Sequence, residues 1–221
     1  MSPKSQTELS KARRKRERGE LIGRIKDIAR EMFVRDGYEA VTLDKIAYEL
    51  EYTRPAIYRY FKDKNDLLIS IVLEDMEDLF AILMECNSIA DPLERLIEMA
   101  RRFGVWAVHH PNHYLLFYSQ AWLAQEDAVR ARQGVPIEHE PLTLLFRTIE
   151  ELIVQGRIKA EYADAALLAK TAWACMHGMI LLEIGMSGYD RTLIHDRDRE
   201  YSVINSLEVL LKGLMQGFLQ S

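Results

Sequence analysis

The sequence has 221 residues, of which 48% are hydrophobic and 29% are charged, a composition typical of a soluble globular protein. The net charge of −5 argues by itself against a nucleic-acid partner, but residues 1–64 hold 16 Lys and Arg against 11 Asp and Glu, and residues 65–221 hold 13 against 23. A basic first part on an acidic remainder favours a protein whose N-terminal end faces a polyanion, and we expect no membrane span and no signal peptide.

The first residues, 1–19, carry almost no apolar side chains and include the basic run K-A-R-R-K-R-E-R. We predict a disordered arm there, which either contacts a phosphate backbone or minor groove or serves only as a solvated tail. A first helix is predicted from about Glu20 to Asp36, ended by Gly37, with an apolar face at Ile25, Ile28, Ala29, Met32 and Phe33.

Two short helices follow. The first is predicted from about Leu43 to Leu50, capped by Thr42, and the second from Arg54 to Phe61, capped by Thr53 and opened by Pro55. The second helix would turn Ile57 and Phe61 inward and leave a basic and aromatic face outside. A helix pair of this kind is typical of a helix-turn-helix, although an ordinary helical hairpin with a solvated polar face is the alternative.

The segment from Ile25 to Leu68, which includes D-G-Y, the I-A of the second helix and I-Y-R-Y-F-K-D-K, resembles the N-terminal domain of TetR/AcrR-type transcriptional regulators. One departure is Glu51, which stands where that family usually has glycine. A residue with a Cβ resists the left-handed conformation, so we expect the turn geometry to differ slightly.

The resemblance implies which residues of this sequence contact double-stranded DNA. Thr42, Tyr58, Tyr60 and Lys64 match phosphate-contacting positions, and Arg54, Pro55 and Ala56 match positions near base edges. Thr53 and Arg59 complete the predicted DNA-binding set. Arg54 is the best candidate for direct readout, because a guanidinium can bridge guanine O6 and N7.

Six further helices are predicted after residue 64. Their approximate bounds are Asn65–Glu85, Pro92–His109, His113–Gln133, Glu140–Gln155, Asp164–Met186 and Arg199–Leu219. We therefore predict an all-α fold in which residues 20–64 form a three-helix DNA-binding domain and residues 65–221 form a six-helix effector-binding and dimerisation domain.

Within this second domain, an aromatic face between Tyr114 and Trp122, with Phe103 and Trp106 on the helix before it, favours either a ligand cavity or an ordinary core. The segment Trp173 to Gly178 also resembles a W…H-G segment found in part of the family, and His177 could bind a ligand or satisfy a buried carbonyl. Since the resemblance implies an effector, the predicted ligand-binding residues are Phe103, Trp106, Phe117, Tyr118, Trp122, Trp173, Met176 and His177.

His109, His110 and His113 do not predict a metal site, because Pro111 breaks the helical spacing and no cysteine or carboxylate cluster lies beside them. We predict no metal and no cofactor. The apolar stripe of the last helix, with Gly213 and Gly217 in it, and the apolar helix before it exceed what a terminal hairpin needs. The resemblance implies that these two helices form a four-helix bundle in a homodimer.

The sequence therefore predicts a cytoplasmic repressor that binds a palindromic operator as a homodimer and is released by a small apolar or aromatic effector. An enzyme is the rival class, but no catalytic or nucleotide-binding fingerprint occurs in the sequence. An architectural DNA-binding protein of the same fold, without an effector, is the other alternative; a fully packed second domain would favour it.

Overall fold

The computed structural model describes residues 3–124, 141–185 and 199–219, and apart from short turns and one isolated bridge these residues are helical. This confirms the all-α fold. The described helices are α1 (Pro3–Asp36), α2 (Leu43–Glu49), α3 (Arg54–Tyr58), α4 (Lys64–Met84), α5 (Pro92–His109), α6 (Pro111–Phe117), α7 (Gln120–Leu123), α8 (Pro141–Val154), α9 (Ala165–Gly185) and α10 (Arg199–Phe218).

The chain divides into two compact units. The first, called the head, comprises Met1–Glu74 together with Leu115–Val129, and the second, called the body, comprises Asp75–Tyr114 and Arg130–Ser221. The predicted boundary after residue 64 coincides with the start of α4, whereas the head also takes in the first half of α4 and a segment from the middle of the sequence.

The N-terminal segment differs from the sequence prediction, since α1 begins at Pro3 rather than near Glu20. Residues 8–20 are exposed on all sides, so packing does not explain this helix. Its residues are strong helix formers, and ion pairs between Arg13 and Glu17 and between Arg16 and Glu20 join successive turns. The expected disordered arm is therefore a helical extension of α1.

The head has its core between α1, α2, α3 and the start of α4. The predicted apolar face of α1 is buried at Ile25, Ala29, Met32 and Phe33, and α1 ends at Gly37 with φ of +82°. Lys26 fastens α1 to α4, because its ammonium group binds the Glu74 carboxylate and lies 3.2 Å from the Ser70 carbonyl oxygen. Other large side chains that are fully buried in this core are Ile46, Ile57, Leu67, Leu68 and Ile71.

Two predictions for the second and third helices need correction. The helix α3 ends at Tyr58, and Arg59 is its C-cap, so it is shorter than the predicted Arg54–Phe61. Phe61 is still buried, because its amide donates to the Ile57 carbonyl in one further turn. The Thr53 side chain makes no capping hydrogen bond, whereas the Thr42 hydroxyl accepts one from the Lys45 amide at 3.2 Å, as predicted.

The helix predicted from His113 to Gln133 is broken in the structure. Helix α6 starts earlier, at Pro111, and stops at Phe117; α7 then begins after Ser119, whose hydroxyl accepts a hydrogen bond from the Trp122 amide at 3.3 Å. The side chain of Ser119 competes for the backbone in a way that favours a new helix start over continuation of the old one. Residues 125–133 of the prediction lie outside the described residues.

In the body, α5 packs against α8, α9 and α10, and α9 packs against α8 and α10. Asp91 caps α5 by accepting hydrogen bonds from the amides of Leu93 and Glu94, which confirms the predicted start of that helix. One apolar cluster of the body consists of Leu96, Leu145, Ile149, Leu152, Ile158 and Ala169.

Helix α9 corrects the expectation that no segment approaches a membrane span. Its 21 residues have a mean hydropathy of 1.4 over their most apolar window, enough by length and composition to cross a bilayer, and 17% of that window is buried. Such a single helix is weak evidence for a membrane. Its exposed residues include Lys170, and most of the others form a stripe along one side of the helix at Leu167, Ala174, Gly178, Leu181, Leu182 and Gly185.

Candidate nucleic-acid interface and effector cavity

The turn between α2 and α3 is built on Glu51, which has a φ of +58° and is the one non-glycine residue with positive φ in the described residues. Its amide donates to the Tyr48 carbonyl at 3.0 Å, and the Tyr52 amide donates to the Ala47 carbonyl at 2.9 Å. These two hydrogen bonds define a Schellman motif, in which glycine usually occupies the left-handed position. The glutamate therefore adopts the glycine geometry instead of changing the turn.

The structure brings the nine predicted DNA-binding residues together on the head. Six of them are exposed and three are half-buried, namely Ala56, Tyr60 and Lys64. The exposed residues are Thr42 before α2, Thr53 before α3, and Arg54, Pro55, Tyr58 and Arg59 in or directly after α3.

Tyr48 is a candidate that the sequence analysis missed. It lies on the outer face of α2, and its side chain is 85% exposed. A large aromatic residue on the polar side of a short amphipathic helix was visible in the sequence, and it could have suggested a contact outside the protein.

Arg54 is held by Asp44 across the helix pair. The Nε and Nη2 groups of its guanidinium donate to the two carboxylate oxygens of Asp44, so the contact is bidentate. This carboxylate raises the pKa of Arg54 above its ordinary value, and Tyr58 makes a smaller contribution in the same direction. A guanidinium has five N–H donors, so the Asp44 contact leaves three for other partners.

The other cationic candidates are also placed by contacts within the head. The guanidinium of Arg59 lies 5.8 Å from the centre of the Tyr60 ring, and that of Arg18 lies 5.5 Å from it. The Lys64 ammonium group donates to the Tyr38 carbonyl at 2.7 Å and sits 4.0 Å from the centre of the Tyr38 ring. Lys64 therefore anchors the loop after α1.

The body contains a small apolar cavity of about 30 Å³, which continues into open space at its mouth. Among the described residues, none with a charged side chain lines it. The lining residues come from α4, α5, α8, α9 and α10, and they are Leu83, Leu96, Met99, Ala100, Phe103, Pro141, Leu145, Ala172, Trp173, Met176 and Leu207.

Three of the predicted ligand-binding residues line this cavity, namely Phe103, Trp173 and Met176. Trp106 instead lines an open groove with His109 and His110, and Phe117, Tyr118 and Trp122 belong to the head. Sequence reasoning favoured large aromatic residues and missed most of the aliphatic lining. Ala100 and Ala172 were the available signal, because small residues on otherwise bulky apolar faces leave room.

His177 lies behind the aromatic wall of the cavity. Its ring is 5.4 Å from that of Phe103 and 4.5 Å from that of Trp173, centre to centre, and its Nδ1 is 2.6 Å from the Tyr114 hydroxyl oxygen. Burial lowers the pKa of His177 to about 4 and raises the pKa of Tyr114 well above its usual range. At neutral pH the tyrosine therefore keeps its proton and the imidazole is uncharged, and the two groups share one hydrogen bond.

Two histidines at the end of α5 and in α6 pack against each other and against Trp106. The rings of His110 and His113 lie 5.1 Å apart, beside Trp106, and Nδ1 of His113 is 3.0 Å from the buried carboxylate of Asp75. No group of three or more metal-ligating side chains occurs within the part of the chain that the structure describes.

Comparison with known protein families accounts for both units. Residues 25–71 match the family described as bacterial regulatory proteins of the tetR family, and residues 96–204 match a tetracyclin repressor-like C-terminal domain. The chain belongs to the TetR family. The first match contains all nine predicted DNA-binding residues, and the second contains all eight predicted ligand-binding residues. Family and fold are those of DNA-binding transcriptional regulators and not of enzymes.

Curated relatives match this TetR-family protein over a short stretch. Helix-turn-helix transcriptional regulators of Staphylococcus aureus strains USA300 and COL are each 37% identical over 54 residues. That match covers 24% of this chain and 29% of each relative, so it spans less than a third of the length of the curated relatives.

Solved structures resemble the TetR-family chain over most of its length. PfmR from Thermus thermophilus aligns with a TM-score of 0.66 at 19% identity, covering 85% of this chain and 97% of PfmR. The fatty acid degradation regulator FadR from Bacillus halodurans aligns at 0.64 and 20%, covering 86% and 94%. The ketosteroid regulator KstR2 of Mycobacterium tuberculosis aligns at 0.64 and 17%, covering 90% and 95%. These identities establish a shared fold.

Proposed function

We propose that this protein is a ligand-responsive repressor, active in the cytoplasm, that binds a palindromic operator as a homodimer and is released by a small apolar or aromatic effector. The observation that carries the proposal is the exposed face of α3, where Arg54 and Tyr58 stand at the surface of a helix-turn-helix held by a complete Schellman turn. A helix presented in this way fits the major groove.

Arg54 is the proposed base-reading residue. Asp44 occupies two of its donors and fixes the plane of the guanidinium, so the remaining donors point in a set direction. Guanine O6 and N7 accept a planar pair of donors of this kind. Thr42, Tyr58, Tyr60 and Lys64 are the proposed phosphate contacts, which position the head without reading sequence.

The homodimer rests on the exposed apolar stripe of α9. Leu182 is 57% exposed and Leu181 is 47% exposed, and on α10 Val209 is 75% exposed. An apolar stripe continued by Ala174 and Gly178 lets a second helix approach closely, so a second copy of the chain is the proposed partner for it. Two copies would present two heads to half-sites separated by whole turns of DNA.

Regulation rests on the cavity of the body. An uncharged lining would leave a buried ionic group without a partner, so the proposed effector is apolar or aromatic in the part that enters. The cavity of about 30 Å³ has room for little more than one water molecule, so an effector would have to push its lining apart on entry. An effector acts only through its difference in affinity for the DNA-fitting and the non-fitting states. If compounds that raise the thermal unfolding temperature leave operator affinity unchanged, this part of the proposal is wrong.

Selection of bound duplexes from a random pool tests the proposal directly. We expect a palindromic consensus, because two identical heads read the two half-sites. With the selected DNA, Arg54→Ala is expected to abolish the preference at one base pair per half-site, at a cost of about 1–3 kcal/mol each. Arg59→Ala is the control: we propose that Arg59 also contacts a phosphate, and loss of such a contact weakens all sequences alike. A non-palindromic consensus, or a uniform loss with Arg54→Ala, would contradict the assignment.

A further inference from the structure

The helical extension of α1 carries a dense group of cations. Between residues 11 and 18 there are six Lys and Arg residues and one acid, Glu17, and every one of these side chains is exposed. In a disordered arm their directions would be averaged. In a helix each cation has a fixed side, and this separates them into two sets.

One side of the extension is neutralised by ion pairs. Arg13 Nε lies 2.7 Å from the Glu17 carboxylate, and Arg16 Nε lies 3.6 Å from that of Glu20. The other side holds Lys11, Arg14, Lys15 and Arg18, a set called here the basic stripe. Their spacing of i, i+3, i+4 and i+7 places them within about 100° of the helix circumference. Within the described ranges none of these four forms an ion pair.

The basic stripe lies on the same side of α1 as the residues that pack α1 against the rest of the head. Seven residues after Arg18, on the same face, is Ile25, and four residues later is Ala29; both are fully buried. At its C-terminal end the stripe meets the helix-turn-helix, because Arg18 lies over the ring of Tyr60, next to Arg59. The stripe therefore continues the same surface as the phosphate-contacting candidates at the end of α3.

We propose that the basic stripe binds the phosphate backbone of the duplex directly flanking the half-site that α3 reads. This rests on the proposed function of the head. From Lys11 to Arg18 the helix rises about 10 Å, a length over which one DNA strand presents on the order of three phosphates. Contacts of this kind are independent of sequence, so the stripe adds affinity and leaves the choice of operator to α3.

Two double variants of identical composition test the proposal. The first, Arg14→Gln with Arg18→Gln, removes half of the stripe. The second, Arg13→Gln with Arg16→Gln, removes the two ion-paired arginines on the opposite side. Both lower the net charge by the same amount, so any long-range electrostatic loss is shared. Circular dichroism checks that each variant stays helical.

Affinity is measured at several salt concentrations with duplexes that extend past the selected half-sites and with duplexes that end at them. The stripe variant is expected to lose on the order of tenfold in affinity on extended DNA, with a salt slope shallower by about 2, and much less on the short duplex. The ratio of specific to non-specific affinity should stay the same. Equal losses in the two variants, or no loss in either, would overturn the proposal.

This experiment distinguishes a wrong proposed function from a wrong role of the basic stripe. If the wild-type protein selects no sequence at all, the proposed function fails. If the wild-type protein and both double variants bind the selected operator equally well, the head reads DNA without the stripe. In that case only the present inference fails.

Discussion

Glu51 adopts a strained backbone conformation without changing the fold around it. Its φ of +58° lies in the region where a Cβ meets the following carbonyl oxygen, yet both hydrogen bonds of the Schellman motif are formed. The buried residues on either side, Leu50 and Ile57, hold the backbone in this conformation. The strain is therefore local and is balanced by the packing of α2 and α3.

Glu51→Gly is expected to stabilise the protein by about 1 kcal/mol, because glycine adopts the left-handed conformation without a steric penalty. The free energy of unfolding in urea measures this. Glu51→Gln is the matched control, since it removes the charge and keeps the Cβ. A glycine variant no more stable than the glutamine variant would show that this position is not strained.

The exposed and buried sides of α2 and α3 were predictable because they follow from a local pattern. The spacing of Leu43, Ile46 and Ile57 sets which sides of α2 and α3 are buried, and the remaining sides must face out. The contact of Arg54 with Asp44 was not predicted. An acidic residue in the first turn of α2 already has a local role, because it suits the positive end of the helix dipole. Whether Asp44 also meets Arg54, ten residues later, depends on the path of the turn between the two helices.

At the scale of elements, the contact between Tyr114 and His177 joins α6 to α9 beside the cavity. The sequence placed Trp173 and His177 on one helical face, but the partner of the histidine is 63 residues away and could not be inferred from spacing. This hydrogen bond, between a buried tyrosine and a half-buried histidine, helps to fix the rotation of both helices.

The low pKa of His177 makes this contact sensitive to pH. In the unfolded chain the imidazole takes up a proton as the pH falls through about 6.5, while the folded protein resists protonation until about pH 4. The unfolded state therefore binds more protons in this interval, and stability is lost as the pH decreases. We expect a loss of about 1–2 kcal/mol between pH 7 and pH 5 from this group.

The variant His177→Gln isolates the effect of this one histidine from the other titrating groups. It is expected to be less stable than the wild type at pH 7, because the Tyr114 hydroxyl loses its partner, and to show a flatter decline toward pH 5. Urea unfolding at a series of pH values measures both. Parallel curves for the two proteins would mean that folding does not lower the pKa of His177.

The bounds of most helices followed from caps and periodicity, as the starts of α5, α8 and α9 show. The exceptions have two different causes. The extension of α1 has nothing to bury, so its helix depends on propensity and ion pairs between turns. The break between α6 and α7 lies inside a continuous aromatic pattern that looks like one helix.

At the scale of the whole molecule, the exposed stripe of α9 is the feature that a single chain leaves unexplained. Leu182→Glu is expected to convert a dimer to a monomer, because a charge would be buried at the centre of the proposed interface. Sedimentation velocity measures the mass. Val154→Glu is the control, since Val154 is 87% exposed on α8 and is not part of the stripe. A wild-type protein that is already monomeric at micromolar concentration would remove the basis for the dimer.

The head is assembled from two separate stretches of the sequence. Residues 115–124, with the fully buried Trp122, belong to it although they follow α5 of the body. A recombination event that exchanged only the first 64 residues between two such genes would not transfer residues 115–124. The N-terminal helices of one protein would then pack against the Trp122 segment of the other. Chimeras built for biosensing should therefore carry the Trp122 segment with the N-terminal helices, or else redesign the junction.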